Sequence, residues 1–287
     1  MELPFLRGMG VALAAGLLAA CTRDVDITLP PSEPQLVVEG RIETGVPPLV
    51  LLSRSTGFYD DFFLDSVSSY FVSGARITVF NGTDSVVLTE LMLDTAGVRI
   101  PVYVGVGMVG EEGKSYWLVV EAEGKKLQAV TTIPRALPLD SLWWEAMPEN
   151  DTLARLLCRF TDPPEPGNYV RYFTKRNSEP FLPGFNSVFE DDLVNGQSFD
   201  FPLDRGVDRN NPESFNDYGL FKRGDTITVK WCAIDAGHFE FWRTLEFELS
   251  GQGSPFAAPV IIKSNIEGGQ GIWGGYAPSY HQLLVPR

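Results

Sequence analysis

From Gln35 onward the apolar positions come in short runs rather than in long helical stripes. Val, Ile, Leu, Thr and aromatic residues dominate Gln35–Ile42, Pro48–Arg54, Ala75–Phe80, Ser85–Leu91, Ser115–Glu121 and Lys126–Ile133, and turn residues lie between the runs. Runs of this length and composition predict strands. Asn81-Gly82 and Gly124 fall where antiparallel hairpins need positive φ. No helical period competes in this half, so the pattern predicts an immunoglobulin- or transthyretin-like β-sandwich over residues 35–133. The Pro-punctuated stretch Ile133-Pro134-Arg135-Ala136-Leu137-Pro138 reads as a linker to a second, β-rich domain over 139–287.

In that second half, strand-like runs occur at Asp140–Glu145, Leu153–Thr161, Asn168–Lys175 and Asp225–Ile234, with a long polar insertion before the last. Between Asp235 and Gly251 the period is ambiguous. Phe239, Phe241, Leu245, Phe247 and Leu249 alternate, whereas Phe239, Trp242, Leu245 and Leu249 form a helical stripe. Length, Glu content, Asp235 as N-cap and Gly251 at the C-terminal end predict one helix. The overall expectation is a mainly β chain with a sandwich first.

The opening of the chain follows a different pattern. Arg7 precedes an uncharged run from Gly8 to Ala20, shorter than the ~20 apolar residues a membrane span takes. A basic start, an apolar middle and a small-residue end predict a signal peptide over 1–20. Leu18-Ala19-Ala20-Cys21 is similar to the bacterial lipobox, which implies lipidation of Cys21 and attachment through acyl chains. Residues 21–34, rich in Asp and Pro, read as a tether. A net charge of −14 excludes nucleic-acid binding and attachment to anionic lipid through a basic patch. Hydrophobic residues at 44% and aromatics at 12% exclude a disordered chain.

Two further cysteines lie in strand patterns. Cys158 shares a face with Leu156 and Phe160 and points inward, whereas Cys232 shares a face with Thr228 and Lys230 and points outward. Opposite phases predict that the two remain unpaired.

Catalytic chemistry finds little to work with. Only His238 and His281 are present, with no Gly-x-Ser-x-Gly elbow and no His or Cys pair at zinc spacing. No cofactor and no transition metal is expected, and the chain reads as a non-enzyme. The insertion carries Glu190, Asp191, Asp192, Asp200, Asp204, Asp208 and Asp217. It reads as a solvated acidic loop without EF-hand spacing, although oxygen-rich loops also hold calcium. The glycines from Gly268 to Gly275 lack the Lys-Ser/Thr of a phosphate loop, and beside Ile272, Trp273 and Tyr276 they read as a closing strand passing tightly across the core. The aromatic loop Gly57–Asp65 offers Phe58, Tyr59, Phe62 and Phe63 as partner-binding residues, or as a cover for one end of the sandwich.

Three stretches together carry a family resemblance: Cys21–Asp26 running into Leu36–Gly40, Val72–Val79, and Asn265–Tyr276, whose Ser-Asn-Ile-x-Gly-Gly-x-Gly signature is its most specific part. They resemble an outer-membrane lipoprotein family of the Bacteroidota known as the domain of unknown function numbered four-two-four-nine. In that family the position of Trp273 is commonly Phe. The resemblance implies an outer-membrane location, on either side, and a TonB-dependent receptor as partner; it brings no catalytic residues. The function expected is a non-enzymatic accessory or binding component of a TonB-dependent uptake system. The alternatives are a surface carbohydrate- or peptide-active hydrolase and a structural or adhesive envelope protein.

Overall fold

A computed structural model describes residues 33–56, 67–95, 97–191, 195–209, 211, 216–251 and 260–287. Residues 1–32, where the expected signal peptide, most of the expected tether and Cys21 fall, and the loop with Phe58, Tyr59, Phe62 and Phe63 lie outside the described residues. The protein is mainly β. Its strands are β1 (Leu36–Glu43), β2 (Val46–Arg54), β3 (Arg76–Phe80), β4 (Ser85–Val87), β5 (Thr89–Thr95), β6 (Val98–Val104), β7 (Ser115–Ala122) and β8 (Lys125–Thr132), followed by β9 (Ser141–Met147), β10 (Asn150–Thr161), β11 (Tyr169–Arg176), β12 (Leu182–Glu190), β13 (Ser198–Leu203), β14 (Phe221–Lys222), β15 (Thr226–Ile234) and β16 (Gln270–Leu284). A four-residue helix α1 (Val67–Tyr70) and the longer α2 (Ala236–Gly251) complete the described elements.

One eight-stranded sheet, ordered β12-β11-β15-β16-β1-β2-β6-β5, organises the molecule. Against one of its faces pack two smaller sheets. The β4-β3-β7-β8 sheet closes a core with Val38, Ile42, Val50, Leu52, Tyr103 and Trp273 from the large sheet and Ile77, Leu118, Val120 and Leu127 from its own strands. The sheet of β13, β10, β14 and β9 closes a second core, with Tyr172, Val229 and Trp231 meeting Leu156, Cys158, Phe160 and Phe221. The expected sandwich is therefore present, and a second one stands beside it on the same sheet.

That shared sheet corrects the expected division at the Pro134–Pro138 linker. From Pro34 to Arg287 the chain is one compact unit. The reason is β16, whose first half runs parallel to β1 (Val37↔Gln270 to Glu43↔Tyr276) while its second half runs antiparallel to β15 (Ala233↔Ala277 to Thr226↔Leu284). Two more ties join the halves. Asp235 caps α2, its Oδ1 accepting the His238 N–H at 2.8 Å, and its Oδ2 accepts from the Thr131 hydroxyl and the Thr132 N–H of β8.

The glycines of β16 explain themselves by what lies against them. At Gly271 (φ 108°) a Cβ would come within 1.9 Å of the Val38 carbonyl oxygen, and at Gly274 within 2.4 Å of the His238 ring. Upstream, Asn265 binds the backbone of Trp273 with both side-chain atoms, at 2.7 and 2.9 Å, and the Ser264 hydroxyl donates to the Gly271 carbonyl. The Ser-Asn-Ile-x-Gly-Gly-x-Gly signature thus seats the closing strand.

Other expectations shift in detail. The run Ser85–Leu91 is two strands: after β4 pairs with β3, the chain passes to the large sheet as β5. The insertion before Asp225 contributes β12 and β13 rather than a solvated loop throughout. In it Asp191 is buried, accepting from the backbone of Gly167 and Asn168 and from the Asn168 amide.

Candidate functional site

The second face of the large sheet carries α2 and, beside it, a cleft of about 520 Å³. Strand alternation puts the cleft there. Val50 and Leu52 point into the sandwich core, so Leu49 and Leu51 point to the other side. Together with Ile100, Val102 and Ile272 they form an apolar floor. The helical stripe anticipated on α2 supplies the opposite wall: Trp242, Leu245 and Leu249 line the cleft, and Phe239 is buried against Cys232, Ile234 and Tyr276.

Between floor and helix lie two internally neutralised charge pairs. Lys230 Nζ sits 2.6 Å from Glu43 Oε2, with both side chains almost wholly buried, and the rings of Phe173 and Tyr276 flank the ammonium at 5.6 and 5.5 Å. Arg171 is only 3% exposed. Its Nε donates to the Ser187 hydroxyl, its Nη1 donates to the Tyr276 hydroxyl at 2.9 Å, and its guanidinium carbon lies 3.4 Å from the centre of a Trp242 ring. Glu246 stands 4.0 Å from Arg171 Nη2 and accepts from the Ser187 backbone and hydroxyl. Burial pushes the Glu246 pKa up, partly offset by the Ser187 and Arg171 interactions. Partners of this kind are needed because an unpaired buried charge costs several kcal/mol.

The one imidazole in the cleft lining is held neutral. His238 is buried, with Nδ1 3.2 Å from the Gly275 carbonyl, and burial, reinforced by the Arg171 charge, pushes its pKa down to about 3. A base must be free to approach a substrate proton, and this ring is packed against Tyr276 at 4.4 Å. His281 does not line the cleft, and its Nε2 accepts from the Leu139 N–H. Among the described residues no group of three or more His, Cys, Asp or Glu side chains is placed to hold a metal ion.

The sequence family follows from a match over most of the chain. The family described as Domain of unknown function (DUF4249) matches residues 22–281. The chain belongs to the DUF4249 family. No curated protein matches it. For this DUF4249 chain, the signature near the C-terminus is accounted for by strand closure; the stretch that carries it also gives the cleft Ile272 and Tyr276, whereas the charged residues Arg171, Lys230, Glu43 and Glu246 lie in no motif. The strand phase put Lys230, with Cys232, on an outward face, and no pattern singled out Arg171. The available signal was a cation beside an aromatic in each strand, Arg171 next to Tyr172 and Lys230 next to Trp231.

Cys158 and Cys232 are both free. Their phases are opposite, as read, but Cys232 does not face solvent. It is fully buried beneath α2, and burial pushes its thiol pKa up to about 12. Cys158 is buried in the other core, and burial likewise raises its thiol.

Proposed function

We propose that the protein is an outer-membrane lipoprotein, anchored through Cys21, that serves as a non-enzymatic accessory or binding component of a TonB-dependent uptake system, with the cleft as its binding site. The cleft carries this reading. An apolar floor with a few convergent polar groups is what binding sites offer, and the Glu43 and Glu246 carboxylates are each engaged by a cation or a hydrogen-bond donor rather than set free for proton transfer. The lipobox-like start and the resemblance to receptor-associated lipoproteins support the location and the partner.

Two measurements test the proposal. Mass spectrometry of protein extracted from its native membrane should show an acylated N-terminal Cys21, and Cys21→Ser should release the body from the membrane. Purification from detergent-solubilised outer membrane should bring down a TonB-dependent receptor in stoichiometric amount. Recovery of the wild type with no receptor would overturn the functional reading, and an unmodified N-terminus at another residue would overturn the anchoring.

A further inference from the structure

The large sheet ends at β12 on one side and at β5 on the other, and the two edges are finished differently. In β12, Pro183 has no N–H to offer, the register against β11 shifts, and the Ser187 N–H is taken by Glu246 at 2.8 Å. In the small sheet the outer side of β8 is met by Glu267, which exchanges two backbone hydrogen bonds with Gln128. Edges blocked by proline, irregular register or a covering segment do not accept another strand.

β5 has none of these devices. Its seven residues pair with β6 in unbroken register, contain neither Pro nor Lys, and have no strand on their other side among the described residues. Leu91, Met92 and Leu93 are 50, 48 and 48% exposed. Pro101 stands opposite Met92. Because proline gives no N–H to the ladder, this is a pair whose strands exchange no hydrogen bonds, and alternation turns the backbone groups of Glu90, Met92 and Asp94 to the free edge.

We propose that β5 is a docking edge: it accepts an extended segment of a partner protein as an added strand, and that segment has an apolar centre flanked by basic residues. The apolar centre follows from Leu91 and Leu93. They share a face with their ladder partners Val102 and Ile100, which line the cleft floor, so alternate side chains of an added strand continue that floor. The basic flanks follow from Glu90 and Asp94 on either side of the Leu91–Leu93 centre. Glu90 accepts from the Ser73 hydroxyl and the Gly74 N–H, which lower its pKa and keep it ionised. Arg99 stands across the ladder from Asp94, so Glu90 is the stronger flank. The same acids disfavour a second copy, since antiparallel pairing about Met92 sets Glu90 opposite Asp94 twice, and like charges directly opposite destabilise a ladder.

The experiment uses the full chain in detergent and two fluorescein-labelled peptides, Val-Lys-Val-Thr-Val-Lys-Val, which centred on Met92 sets Lys opposite Glu90 and Asp94 and Val opposite Leu91 and Leu93, and its Glu-flanked counterpart, read by anisotropy and by backbone amide exchange. The Lys-flanked peptide should bind and slow exchange at Glu90, Met92 and Asp94, and the Glu-flanked peptide should bind more weakly. Met92→Pro removes one outward donor and should weaken binding by between about threefold and tenfold, the value of one hydrogen bond. Met92→Lys, whose side chain points away from the cleft, should weaken binding as well and serves if the proline variant does not fold. Neither variant alters the cleft lining, so failure here leaves the cleft reading intact. Equal affinity for the two peptides, no binding, protection confined to other strands, or self-association that Met92→Lys abolishes would each overturn the proposal.

Discussion

Gly40 and Trp273 stand opposite one another in the parallel β1–β16 ladder, and the indole occupies the space a side chain on residue 40 would need: a Cβ there would lie 2.7 Å from Trp273 Cε3. The indole cannot simply move aside. It is fully buried, and its Nε1 donates to the Tyr116 carbonyl at 2.9 Å, tying the large sheet to the small one. Gly40→Ala should therefore destabilise the fold by about 1–3 kcal/mol, as overpacking does. Combined with Trp273→Phe, which makes room, the cost of Gly40→Ala should shrink. A double-mutant cycle by denaturant unfolding measures this coupling, and strict additivity would show that the two residues do not compete for space.

His238 gives the protein an acid sensitivity with a defined sign. Its folded pKa is depressed to about 3, below the ordinary value of ~6.5 for an unfolded chain. As pH falls below the unfolded value, the unfolded state gains a proton that the folded state refuses, so stability is lost from about pH 6.5 down to about pH 3 and is unaffected above. The slope from this residue should approach about 1.4 kcal/mol per pH unit in the middle of that window. His238→Gln should flatten the unfolding free energy measured against pH across it.

The two buried thiols should be inert in the folded body, since burial raises both pKa values and the thiolate is the reactive form. A thiol reagent at pH 8 should label Cys158 and Cys232 slowly in native protein and quickly after denaturation without reductant. Labelling that requires a reductant would mean a disulfide the structure does not contain.

Arg171→Met leaves the Glu246 carboxylate buried without its cation while keeping the aromatic packing of a long side chain. Breaking one partner of a buried pair costs about 3–5 kcal/mol. The loss should be largest at neutral pH and ease as pH falls, because Glu246, already raised by burial, then takes up a proton. Thermal melts of wild type and variant between pH 5 and 8 separate this from a packing defect, which would be independent of pH.

The aromatic loop can be tested on sequence grounds alone. Replacing Phe58, Tyr59, Phe62 and Phe63 together with Ser should weaken recovery of a membrane partner in a pull-down while leaving the melting temperature near that of wild type, because aromatic anchors contribute most of the energy of an interface. Normal recovery by the variant would remove the loop from the binding surface.

The sequence by itself determined the local structure wherever period and turn chemistry agree. Alternation marked β1, β2, β3, β7 and β8, the turn at Gly124 has the positive φ it was assigned, and Asp235 caps a helix carrying the Phe239, Trp242, Leu245, Leu249 stripe. Tight closure was also legible in the glycines from Gly268 to Gly275. Alternation says which residues share a face, but not what that face meets. Cys232 and Lys230 were correctly placed opposite the core, yet whether that side met water or protein depended on α2 folding back over it. β6 escaped notice because Pro101 interrupts its pattern. The pairing of β1 with β16 has no local signal at all, since its partners are separated by almost the whole chain. Tertiary structure alone decided that two sandwiches share one sheet, because only long-range pairing brings Glu43 to Lys230 and Arg171 to Tyr276, and with them creates the cleft.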